Sequence, residues 1–128
     1  MKAKTNFSPA SSTFDLDLHF PGGAGYYYFL LGAFSTTPGI PLPDGRVVPL
    51  AEDVLFNFSL AFPNGGVLNG FQGWLDAAGQ ATAMVTLPND PGIVGVTLHF
   101  AAVTVDVTQF DLINQLRHVT DAKAVVLR

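Results

Sequence analysis

Six consecutive large apolar residues, Tyr26-Tyr27-Tyr28-Phe29-Leu30-Leu31, follow the turn-forming run Pro21-Gly22-Gly23-Ala24-Gly25. Turn chemistry before an aromatic-rich run predicts an extended strand. Successive side chains of a strand point to opposite faces. Tyr26, Tyr28 and Leu30 therefore share one face, and Tyr27, Phe29 and Leu31 the other. A sheet in a two-layer domain buries one face in its own core. This strand asks for both faces to be covered, and that demand constrains the fold more than any other segment. The stretch 96–106 repeats it, with Val103 and Val105 opposite Leu98, Phe100 and Ala102.

Period-two alternation runs through the rest of the chain. Phe14, Leu16, Leu18 and Phe20 alternate with Asp15, Asp17 and His19, which predicts a half-buried strand. The segment VLFNFSLAF predicts another, with Val54, Phe56, Phe58, Leu60 and Phe62 inward. Between them, Ser35 to Arg46 carries three prolines and two glycines, which excludes a helix or a central strand. Asp44-Gly45 closes a tight turn into the short edge strand VVPL. In WLDAAGQATAMVTLP, Asp76-Ala77-Ala78-Gly79 fits a type I turn with Gly79 left-handed, joining FQGWL to QATAMVTL as a hairpin. The segment PNDPGIVG, residues 88–95, reads as a loop before the strand 96–106. In the tail, Leu112, Ile113, Leu116 and Val119 have helical spacing with Asp111 as a cap; an irregular crossover is the rival reading. A last strand covers AKAVVL.

About eight strands with Gly/Pro-rich turns predict a single-domain, all-β antiparallel sandwich over residues 13–128, preceded by an N-terminal arm over 1–12. A closed barrel is the alternative. The 128 residues suffice for one core, and without cysteine it is held by packing alone.

Charge narrows the function. Only 12% of residues are charged, against about 25% in an average domain. The net charge is −4, and Lys2, Lys4, Arg46, Arg117, Lys123 and Arg128 form no cluster, which argues against nucleic acid. No run approaches the roughly 18 apolar residues of a membrane helix. Catalysis finds little support. No serine stands in a Gly-x-Ser-x-Gly elbow, and Glu52 is the single glutamate beside nine aspartates. The strand face of Asp15, Asp17 and His19, with His99 as a cross-strand partner, is the one arrangement that could hold a metal, and a solvated strand face explains it better. No cofactor is expected.

The turn and loop motifs resemble the small β-rich module near the C-terminus of large exported proteins of planctomycetes and myxobacteria. The residues that carry this are Pro38-Gly39-Ile40-Pro41-Leu42-Pro43, Pro49-Leu50, Leu75-Asp76-Ala77-Ala78-Gly79-Gln80-Ala81-Thr82 with Pro88, and Val94-Gly95, Leu98-His99-Phe100 and Asp106. The resemblance covers roughly residues 26–106. It implies an extracellular or cell-surface setting, with a leader or upstream domains absent from this chain, and it carries over no catalytic residue. The expectation is a non-catalytic structural module that self-associates as a homo-oligomer or docks to neighbouring domains. Its interface residues are Tyr26, Tyr27, Tyr28, Val103 and Val105. The alternative is a ligand-binding module that stacks a glycan on the tyrosines.

Overall fold

A computed structural model of the chain describes residues 2–7, 11–88, 95–109 and 115–126. Its fold is all-β and antiparallel, a sandwich of two sheets with one short helix. Sheet A is built from β1 (Lys2–Phe7), β2 (Ser11–His19), β8 (Gln80–Pro88) and β6 (Leu68–Asn69), in that order. In sheet B the order is β10 (Leu116–Val119), β9 (Thr97–Val105), β3 (Tyr27–Ala33) and β7 (Gln72–Trp74). Farther along the same edge of β9 lies β11 (Lys123–Val126). A ribbon of β4 (Ile40–Pro41) and β5 (Val47–Val48) stands apart. Eight strands have three or more residues; β4, β5 and β6 have two. Part of the segment read as an arm is thus strand β1, paired along β2 from Lys2–Asp17 to Phe7–Ser12.

The core between the sheets follows the alternation. Phe14, Leu16, Leu18 and Phe20 from sheet A meet Tyr28, Leu30, Leu98, Phe100 and Ala102 from sheet B. Phe100 is its centre, edge-on to Phe14 at 5.8 Å and to Phe71 at 6.0 Å between ring centroids. Edge-to-face contacts suit the ring quadrupoles.

The opposite face of sheet B has a second core. Leu31, Ala33, Ala101 and Val103 pack there against Val48, Leu50, Phe56 and Leu116. Leu116 belongs to β10 of the same sheet; the cover comes from the same chain, as the β4–β5 ribbon and a helix α1 (Val54–Ala61). Arg46 ties the ribbon to β10 by donating to the Arg117 carbonyl at 2.6 Å.

Helix α1 corrects the strand expected at residues 54–62. Asp53 is its N-cap, accepting the Phe56 N–H at 3.0 Å. Phe62 ends it with φ −130°, as the residue before Pro63 must leave the α region. Only Phe56 and Ser59 are buried; Val54, Phe58, Leu60 and Phe62 are exposed rather than inward. The cause is the edge of β3. Strand β7 stops opposite Phe29, leaving the N–H groups of Gly32 and Phe34 without a strand partner. Ser59 Oγ accepts from Gly32 at 3.3 Å and donates to the Phe56 carbonyl. The other carboxylate oxygen of Asp53 accepts from Phe34 at 2.8 Å.

Two further expectations are corrected. The 76–79 turn forms as read: Gly79 N–H donates to the Asp76 carbonyl, Asp76 Oδ1 accepts from Ala78 and Gln80, and Gly79 has φ +73°. It does not join a hairpin, however, because β7 belongs to sheet B and β8 to sheet A. It is a corner between sheets. In the tail, residues 110–114 lie outside the described residues, Asp111, Leu112 and Ile113 among them. Gln115 is helical as the spacing predicts, but Leu116 and Val119, expected on that helix, lie in strand β10. The edge of β9 decides this, since Leu116 pairs with Val105 and Val119 with Val103.

The corner gives a sharp test. A Cβ on Gly79 would run into the Phe20 carbonyl, whereas at Gly22, with the similar φ of +79°, it would meet nothing within 4 Å. Left-handed φ alone costs a residue with a side chain about 1–2 kcal/mol. Urea denaturation should show Gly22→Ala losing about that much and Gly79→Ala clearly more. Equal losses would contradict the corner geometry.

Candidate functional site

The second core does not extend to the end of sheet B. Tyr27 pairs with Trp74 on one side and Val105 on the other, so these three make one row across the outer face. Leu75 N–H donates to the Tyr26 carbonyl and Leu30 N–H to the Phe71 carbonyl. The intervening pairs Tyr27–Trp74 and Phe29–Gln72 are therefore the closely spaced, non-hydrogen-bonded kind. Trp74 is 59% exposed, and Tyr27, Phe29 and Val105 are half-buried. Tyr27 meets Trp74 at 5.0 Å with the rings 82° apart, and Phe29 at 5.3 Å with a 50° tilt. Gln72 joins the row to the helix: its Oε1 accepts from Tyr27 Oη at 3.4 Å and its Nε2 donates to the Leu60 carbonyl at 3.5 Å. On α1 and its cap, Val54, Phe58 and Phe62 are exposed at helical spacing, with the Phe58 and Phe62 rings 5.3 Å apart.

Of the five expected interface residues, Tyr27 and Val105 lie in this row. Val103 is buried in the second core. Tyr28 is buried in the first, donating to the Gly70 carbonyl at 2.6 Å. Tyr26 is half-buried beside the first core, near the His118 ring at 6.1 Å and under the Arg117 guanidinium at 6.0 Å. Sequence reasoning missed Trp74, which it absorbed into a hairpin. Its signal was parity: Trp74 alternates with Phe71-side and Leu75 core positions, so it had to face outward.

The outer face of sheet A is polar. Asp17 stands opposite Thr82, and His19 opposite Gln80. Phe20 N–H donates to the Gly79 carbonyl, so by alternation both pairs are the close, non-hydrogen-bonded kind. Thr82 Oγ1 donates to Asp17 Oδ1 at 3.2 Å. With Pro21 and Ala81 these side chains line a groove of about 580 Å³. Asp15 shares the face as expected, opposite Met84. His99 does not join His19: it lies in sheet B, paired with Ala33 and Ala124. Among the described residues no three His, Asp or Glu side chains converge to hold a metal. His118 is engaged by Thr104, whose buried hydroxyl accepts its backbone N–H at 2.9 Å and lies 2.8 Å from Nδ1.

Two carboxylates brace the cover of sheet B. Asp44 is held below the usual carboxylate range chiefly by the Arg46 backbone N–H, with the guanidinium adding at 2.6 Å. Asp106 is lowered mainly by the Thr108 hydroxyl and N–H. The chain matches no protein-family model, no curated protein and no solved structure.

Tyr28 supplies a check on which aromatic faces inward. Burial, and then the neighbouring Tyr27, push its phenol above its ordinary value of 10.0. A raised folded value means the associated stability is complete below about pH 10 and is lost as pH climbs through the folded value. Alkaline absorbance titration should show one late-ionising tyrosine that Tyr28→Phe removes. Persistence of that step in the variant would place another tyrosine in the core.

Proposed function

We propose that the domain is a non-catalytic assembly module of an exported or cell-surface protein. It docks through the row Trp74, Tyr27 and Val105, either onto a second copy of itself or onto a neighbouring domain. The observation that carries this reading is the 59% exposure of Trp74 packed edge-on against Tyr27, with Val54, Phe58 and Phe62 exposed on the neighbouring helix α1 and its cap. Contiguous exposed apolar surface of this kind marks interaction sites. A chain with 12% charged residues has few groups to solvate it otherwise. The extracellular setting rests on the motif resemblance at residues 38–43 and 75–88.

The row suits a protein partner better than a stacked glycan. The exposed Trp74 ring and the half-buried Tyr27 ring meet at 82°, so they offer no shared flat platform. Each large side chain covered there would contribute about 1.5–3 kcal/mol, so three or four per subunit are enough to hold an assembly.

Light scattering of the intact chain at high concentration tests the self-associating form. It should give a multiple of 13.6 kDa. Trp74→Lys and Tyr27→Lys should each return the monomer mass with an unchanged β spectrum. A wild-type monomer that also binds no neighbouring domain would end this reading.

A further inference from the structure

We propose that the groove on the outer face of sheet A is a binding site for a neutral saccharide. It lies on the other sheet from the docking row, and neither site depends on the other.

The lining chemistry selects the ligand. Asp17 offers acceptors, Gln80 both donors and an acceptor, Thr82 a hydroxyl, and His19 a ring with donor and acceptor nitrogens. Vicinal sugar hydroxyls need that mixture, because each both donates and accepts. A divalent cation would need several hard ligands, and no three acidic or histidine side chains converge among the described residues. Pro21 supplies the apolar contact that the C–H face of a pyranose ring requires.

The geometry is also prepared. Asp17–Thr82 and His19–Gln80 are close cross-strand pairs on the paired strands β2 and β8. The corner fixes their far end through the Phe20–Gly79 hydrogen bond at 2.8 Å. Asp17 and Thr82 are oriented toward each other by their own hydrogen bond. A site carried on strands needs little ordering on binding, which saves affinity. The volume of about 580 Å³ falls within the range of roughly 300–1,000 Å³ typical of small-molecule sites.

The test is an amide-resolved NMR titration of the intact chain with cellotriose, xylotriose and chitotriose, and separately with calcium chloride. At least one trisaccharide should shift the amides of Asp17, His19, Gln80 and Thr82 saturably, with Kd of about 1 mM or below. Gln80→Ala and Thr82→Val should each weaken it about tenfold, about 1.4 kcal/mol, while the rest of the spectrum stays in place. Three results would overturn the proposal: no shift at these amides at about 10 mM of any trisaccharide, shifts centred on Trp74 and Tyr27 instead, or saturation of the same amides by calcium alone.

Discussion

The double burial of β3 governs the arrangement of everything outside sheet A. Leu30 and Tyr28 belong to the core between the sheets, while Leu31 and Ala33 face away from it. A two-layer sandwich would leave those outward residues in water, each at a cost of about 1.5–3 kcal/mol if large and fully apolar. The chain answers with a third, partial layer. Helix α1 and the β4–β5 ribbon close over the outer face of sheet B and make a second core. The same helix completes the edge of β3 with polar groups. A buried backbone N–H without a partner costs about as much as a lost hydrogen bond, so Asp53 and Ser59 contribute alongside Phe56.

That arrangement explains which parts were legible beforehand. β2 was plain from period-two alternation, β3 and β9 from long apolar runs after turn chemistry, and the 76–79 corner from its Asp and Gly. The failure at residues 54–62 has a specific cause. VLFNFSLAF alternates well enough to mimic a strand, but it is bracketed by Asp53 and Pro63, a helix start and a helix stop on either side of an eight-residue helix. Those boundary signals outweighed the pattern because the neighbouring edge needed a carboxylate and a hydroxyl. The expected hairpin at β7 and β8 failed differently. A turn dictates local backbone direction and says nothing of which sheet the next strand enters. The helical spacing in the tail gave way to the pairing demand of β9.

The candidate sites were legible in proportion to how local they are. Asp17 and His19 sit together because they are two apart on one strand; Thr82 and Gln80 join them through a register that no single segment encodes. Tyr27 and Val105 were found by counting apolar residues on both faces, and the same count also returned Tyr28 and Val103, which the molecule buries. Counting identifies surface that must be covered. It does not say whether the chain covers it with its own helix. The two faces of the sandwich consequently differ: sheet A carries Asp15, Asp17, Thr82 and Gln80 to solvent, and sheet B ends in Trp74.

The central claim is that α1 docks on the open edge of β3 and covers sheet B. Native-state amide hydrogen exchange measures this directly, since Gly32 and Phe34 receive their only described acceptors from Ser59 and Asp53. Both amides should exchange as slowly as Leu31 in the middle of the strand, and Asp53→Ala should release Phe34 selectively. Fast exchange at Gly32 and Phe34 beside a protected Leu31 would mean that the helix does not hold that edge, and the covered second core would fall with it.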